Sequence, residues 1–175
     1  MSVSVPKPQP KRLQLPNAST VRLAAQSGPR RLFARDESSG AGRAAAAVPR
    51  VLIVEDDFLV SAEMEAELES AGYSVVGIAT SAEEAVTLAL AEQPHLVVMD
   101  IRLDGARDGI EAALEIYQAK RIRSLFASAY ADAETRRRAA PCEPLGWLPK
   151  PYPMSVLVLA VREAMRAVGG PEPKR

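Results

Sequence analysis

The sequence predicts an α/β fold, a five-stranded parallel sheet flanked by helices on both faces and joined by right-handed crossovers. Three observations carry that prediction. From residue 51 onward, short β-rich runs alternate five times with longer helical ones. The first run, Val51 to Val54, is uniformly apolar, the pattern of a strand covered on both faces. That run and a later one, Leu96 to Met99, each pass directly into carboxylates, Glu55-Asp56-Asp57 and Asp100.

The elements follow in order. After the first strand, Phe58 to Ser70 spaces Leu59, Met64 and Leu68 near a helical period, leaving Glu63, Glu65, Glu67 and Glu69 to face water or a partner. Ala71-Gly72 ends this helix. Val75 to Ala79 reads as the second strand. Thr80 or Ser81 caps the next helix, with Glu83 and Glu84 in its first turn and Ala85, Leu88 and Ala89 as its apolar stripe, until Pro94 stops it. The third strand, Leu96 to Met99, is entered through His95, the single histidine. Gly109 to Ala119 then reads as a helix, Ile122 to Ala127 as the fourth strand and Asp132 to Ala140 as a short helix. Leu145 to Leu148 is the fifth strand and Met154 to Val168 the last helix, closed by Gly169-Gly170.

A formal net charge of zero hides a division. Residues 1 to 50 carry nine Lys and Arg against two acids, and residues 51 to 175 carry thirteen against twenty, so a net +7 precedes a net −7. Residues 1–48 read as a basic, Pro- and Ala-rich, disordered arm without a core of its own, 49–168 as the folded domain and 169–175 as a short polar tail. The arm's charge suits nucleic acid, an acidic membrane surface, an acidic partner or the acidic body itself. It carries no DNA-binding fold signature, which disfavours nucleic acid as a partner. No stretch reaches the length of a membrane span and no signal-peptide apolar region is present. The lone Cys142 rules out an intrachain disulfide and any multi-cysteine zinc site, so a cytoplasmic setting is expected.

Val51 to Phe58 contains no glycine, so neither a GxGxxG turn nor a GxxxxGK[ST] loop follows the first strand. Carboxylates stand where a phosphate-binding loop would need backbone N–H groups, and a cation is the better guest. In an open α/β sheet, function gathers beyond the carboxyl ends of the strands. There Glu55 and Asp56 leave the first strand, Asp100 the third, Ser128 the fourth and Lys150 the fifth. Three carboxylates held close raise one another's pKa values unless they are neutralised. Mg2+, with Mn2+ as an alternative, neutralises them through hard oxygen ligands at about 2.1 Å. Asp100 can then attack phosphorus in line, with Lys150 pairing first with the carboxylate and later with the phosphoryl oxygen, and Ser128 donating its hydroxyl.

On these residues the body, over roughly 50 to 168, resembles the receiver domain of bacterial two-component response regulators. Val-Leu-Ile-Val-Glu55-Asp56-Asp57 is similar to that family's acidic metal-binding motif, and Val97-Val98-Met99-Asp100 to its phospho-acceptor strand. Phe126-Ala127-Ser128-Ala129 resembles the hydroxyl segment and Leu148-Pro149-Lys150-Pro151 the Lys-Pro signature. The resemblance implies a flavodoxin-like sheet in the order 2-1-3-4-5, Asp100 as the phosphorylation site, and a metal held by Glu55, Asp56, Asp100 and the backbone carbonyl of Arg102. It also implies a cis Lys150-Pro151 bond. Trp147 stands where a Tyr or Phe switch residue is usual, to act with Ser128; the alternative is structural packing against the last helix. Tyr130 is a further candidate for that face, and Arg136-Arg137-Arg138 faces either an acidic partner or solvent. The segment Asp100 to Gly109 departs from the family pattern by one extra residue and by lacking proline after Leu103, with Gly105 and Gly109 permitting tight turns.

The expected function is that of a stand-alone receiver. It takes a phosphoryl group from a histidine kinase or histidine phosphotransfer protein, then binds a downstream protein target or passes the group on. Self-phosphorylation and autodephosphorylation are its only expected catalysis, and a phosphorylation-linked homodimer is one form it can take. Two other readings stand beside it: a phosphorylation-independent interaction module, and a Mg2+-dependent phosphatase lacking a cap domain and a second acid at Arg102.

Overall fold

The computed structural model describes residues 47–129 and 131–173. The expectation for the arm, apart from Ala47 and Val48, and the one for Tyr130 lie outside the described residues. The elements alternate as β1 (Arg50–Val54), α1 (Phe58–Ser70), β2 (Ser74–Ala79), α2 (Ala82–Glu92), β3 (Leu96–Met99), α3 (Gly109–Lys120), β4 (Arg123–Ser128), α4 (Ala133–Ala139), β5 (Gly146–Pro149) and α5 (Met154–Ala167). The strands form one sheet in the order β2-β1-β3-β4-β5, with every neighbouring pair parallel. This is the expected flavodoxin-like order. Among the described residues no helix is long and apolar enough to cross a membrane.

Period-two alternation along the central strands sorts their side chains into two cores. Val51, Ile53, Leu96, Val98, Leu125 and Leu148 pack with Met64 and Leu68 of α1 and with Leu157, Val161 and Met165 of α5. Leu52, Val54, Val97, Met99 and Phe126 pack on the other face with Ala82, Ala85 and Ala89 of α2 and Ile110, Ala113 and Ile116 of α3. Each fully buried side chain of this size stabilises the fold by about 1.5–3 kcal/mol, so the inner strands are fixed in register by what both faces bury.

The starts of α1 to α4 are set by side chains that accept the unpaired first N–H groups. Asp57 Oδ1 caps α1 by accepting from Leu59 N (2.8 Å) and Val60 N (3.2 Å). For α2 the cap is Ser81, while the Glu84 carboxylate reaches back to Thr80 N at 2.9 Å. Asp108 and Glu111 form a reciprocal capping box on α3, and Asp132 caps α4.

Three expectations are corrected. Leu59 does not belong to the apolar stripe of α1; it is 77% exposed, as Phe58 is at 78%. The buried face is Ser61, Met64 and Leu68, and Leu59, five residues before Met64, lies roughly 140° around the helix from it at 3.6 residues per turn. The short helix ends at Ala139, because Pro141 turns the chain into a 3-10 turn over Ala140–Cys142. The fourth and fifth strands each begin and end one residue later than the apolar runs suggest.

Candidate functional site

The carboxyl edge of the sheet is laced together by main-chain hydrogen bonds just beyond the strands. Glu55 N–H donates to Ala79 O at the end of β2 (2.9 Å), and Asp100 N–H donates to Val54 O at the end of β1 (2.9 Å). Lys150 N–H donates to Ser128 O at the end of β4 (3.2 Å). Parallel strands that end level thus deliver residues from four segments to one edge. Lys150 precedes Pro151 through a cis peptide bond, as the resemblance implies.

The side chains complete what the backbone begins. Lys150 Nζ donates to Glu55 Oε2 at 2.5 Å and to Asp100 Oδ2 at 2.6 Å. The other Asp100 oxygen, Oδ1, accepts from Ile101 N (2.5 Å) and Arg102 N (3.2 Å). Glu55 and Asp100 are buried, whereas Asp56 faces solvent. One oxygen from each of Glu55, Asp56 and Asp100 falls within a common 4.8 Å.

Electrostatics favour a further cation there. Burial pushes the Glu55 carboxyl up, and the hydrogen bond from Lys150 offsets this only in part, with Asp100 and Asp56 adding repulsion. Burial alone would lower the Lys150 ammonium, but its bonds to Asp100 and Glu55 outweigh this and hold it above its ordinary value. One ammonium against three carboxylates leaves the cluster short of positive charge, and the donor set is all hard oxygen. The residues therefore fit a small divalent cation such as Mg2+.

The other predicted residues lie around this cluster. Ser128 ends β4 and is buried. Arg102 stands two residues beyond Asp100 and, with Arg107, Asp108, Thr135 and Arg138, lines a hollow of about 400 Å3 between the β3–α3 loop and α4. Trp147 stacks on Phe126, with centroids 4.8 Å apart and planes at 20°, and the Arg136 guanidinium lies 5.1 Å from its ring centroid. Trp147 does not pack against the last helix, which the structural alternative expected. Leu148 faces α5, so its neighbour Trp147 must face the opposite side of the sheet.

The three arginines of α4 separate by role. Arg136 Nε donates to Ala131 O at 2.9 Å, Arg137 is exposed near Glu134, and Arg138 Nη2 donates to Asp108 Oδ2 at 2.5 Å. Two features went unread in the sequence. Gly109 is a contact glycine rather than a turn glycine: a Cβ there would stand 1.9 Å from Asp100 O. Beside Lys150, Val60, Pro151, Tyr152 and Met154 line an apolar recess of about 210 Å3. The Pro151-Tyr152-Pro153-Met154 run that begins with the proline of the Lys-Pro pair was its visible signal.

Residues 51–162 match the family described as response regulator receiver domain. The chain is 37% identical over 121 residues to the transcriptional regulatory protein PdtaR of Mycobacterium tuberculosis, covering 69% of this chain and 58% of that protein. It is 33% identical over 99 residues to the phyllosphere-induced regulator PhyR of Methylorubrum extorquens, covering 55% of this chain and 37% of that one. It thus spans little more than half the length of one curated relative and over a third of the other. Among solved structures, the signal receiver domain of a modulated diguanylate cyclase from Desulfovibrio desulfuricans matches with a TM-score of 0.64 at 36% identity, covering 70% of this chain and 98% of that one. A CheY-like receiver domain protein from Methanospirillum hungatei gives a TM-score of 0.65 at 23% identity, over 70% of this chain and 98% of that one, a likeness of fold alone.

Proposed function

Because the chain belongs to the response regulator receiver family, we propose that Asp100 accepts a phosphoryl group in the cytoplasm from the phosphohistidine of a histidine kinase or histidine phosphotransfer protein. An Asp100 carboxylate oxygen forms the new bond to phosphorus as the donor's P–N bond breaks, and the released electron pair returns to the imidazole nitrogen, which then takes a proton. Hydrolysis later cleaves the acylphosphate with water, restoring the carboxylate and releasing inorganic phosphate.

The observation that carries this reading is the Lys150 ammonium shared between Asp100 Oδ2 and Glu55 Oε2. It orients the Asp100 carboxylate before transfer, and can follow the phosphoryl oxygen afterwards. Ser128 supplies a hydroxyl at the same edge. Glu55, Asp56 and Asp100, with the backbone carbonyl of Arg102, are the groups that would hold Mg2+ or Mn2+, which when bound neutralises charge on the phosphoryl oxygens. The exposed pair Phe58 and Leu59 and the apolar recess beside Lys150 suit a donor that docks an apolar surface next to Asp100. The output is a change at Ser128 and Trp147 that alters a protein-binding surface for a downstream target, alone or as a phosphorylation-linked homodimer, or transfer of the group onward.

Treatment with acetyl phosphate and Mg2+, followed by intact-mass measurement, tests the reading. Wild type should gain one phosphoryl group and Asp100→Ala none. A gain retained in Asp100→Ala refutes the acceptor, and no gain in wild type with acetyl phosphate or with a panel of histidine kinases refutes the function.

A further inference from the structure

The backbone of Asp100 lies in contact with the first residue of α3. Gly109 N–H donates to Ile101 O at 2.8 Å, and the space a Cβ would need at Gly109 is taken by the Asp100 carbonyl. Atoms already in contact cannot approach further, so a shift of this first turn toward Asp100 must displace the Asp100 carbonyl.

That turn is governed by one carboxylate with two tasks. Asp108 Oδ1 accepts from Glu111 N at 3.0 Å while Glu111 Oε2 accepts from Asp108 N at 3.0 Å, which closes the capping box of α3. Asp108 Oδ2 meanwhile accepts from Arg138 of α4 at 2.5 Å. The preceding residue, Arg107, is tied to Glu115 on the outer side of α3 at 2.6 Å. An isolated surface ion pair contributes little, but here the carboxylate that receives Arg138 is also the helix cap, and its side chain is only 29% exposed.

We propose that Arg138 is a positioning residue for Asp100: through the Asp108 carboxylate it sets the first turn of α3, and through Gly109 it sets the backbone of the acceptor. The consequence for phosphoryl transfer rests on Asp100 being the acceptor, as proposed above; the placement itself does not. By linkage, whatever α4 does to Asp100, a change at Asp100 does to α4 with the same coupling.

The test uses the full chain as Arg138→Gln, Asp108→Asn, the double variant and Arg138→Lys. Asparagine keeps a capping oxygen for α3 while giving up the charge that holds Arg138. The first measurement is the amide chemical shifts of Ile101 and Arg102, whose N–H groups donate to Asp100 Oδ1. Both single variants should move them in the same direction, the double should move them no further, and Arg138→Lys should restore most of the wild-type position. The second is the rate of phosphorylation by acetyl phosphate with Mg2+, expected to fall about threefold to fivefold in each single variant and no further in the double, the range an exposed ion pair can carry. Unmoved amides in both single variants, or effects that add in the double, overturn the proposal. If wild type takes up no phosphoryl group, the acceptor reading fails, and the amide shifts alone decide the placement.

Discussion

The carboxyl edge of the sheet and the flank formed by α4 each hold two elements together with a cation on a carboxylate, yet they do so under different conditions. At the edge, Lys150 reaches Glu55 and Asp100 between strand ends, and its own side chain is 23% exposed. On the flank, Arg138 reaches Asp108 with nearly half of its side chain in water. Water screens the second contact more strongly than the first. The edge is therefore where charge is costly to change, and so where a phosphoryl group or metal has leverage. The flank is where a contact can form and release at low energy.

The largest expected effect strikes the edge alone. Asp100→Ala should abolish phosphoryl uptake in the intact-mass assay while leaving the helices of the flank intact by circular dichroism; loss of fold together with uptake would show that the two regions are not separable.

Lys150→Ala sharpens the contrast, because it leaves two buried carboxylates facing each other. A loss of about 1–3 kcal/mol by urea unfolding is expected, below the range for a fully buried pair because Lys150 touches solvent, and Mg2+ should restore part of it. Gly109→Ala joins the regions by force. The added methyl must displace the Asp100 carbonyl, at about 1–3 kcal/mol, with phosphorylation slowed alongside.

The metal response should carry the edge's pH signature. Burial raises Glu55, so without a divalent cation its ionisation costs folded-state stability as pH rises above the ordinary value of 4.5. Mg2+ offsets that cost, so its stabilisation should be small near pH 4.5 and grow toward pH 7. It should reach about 1.4 kcal/mol when Mg2+ stands tenfold above its dissociation constant. A gain that shrinks with rising pH would break this account. The smallest effect belongs to the flank: Arg138→Gln should cost under about 1 kcal/mol, and the difference from wild type should fade in high salt, whereas that of Lys150→Ala should persist.

The two regions were also unequally legible in the sequence. Glu55, Asp56, Asp100, Ser128 and Lys150 could be placed at one edge because each stands at or just beyond the end of a strand, and parallel order fixes which ends meet. The end of β3 was readable for a similar reason, since Asp100 is a local signal. The flank depends on approaches that no local pattern encodes. Arg138 meets Asp108 across thirty residues, and Gly109 is required by a carbonyl nine positions earlier. Leu59 required the phase of α1, which glutamates at alternate positions obscure. The side taken by Trp147 was readable in principle: Leu148 beside it must face the other way.

That tryptophan has a practical consequence. It is the only one in the chain, and it lies between the Phe126 ring and the Arg136 guanidinium. Indole emission responds to a nearby positive charge and to water, so drawing α4 away from β5 would change the colour and intensity of the protein's own fluorescence. The molecule contains a built-in optical gauge of its flank, readable in real time without a label.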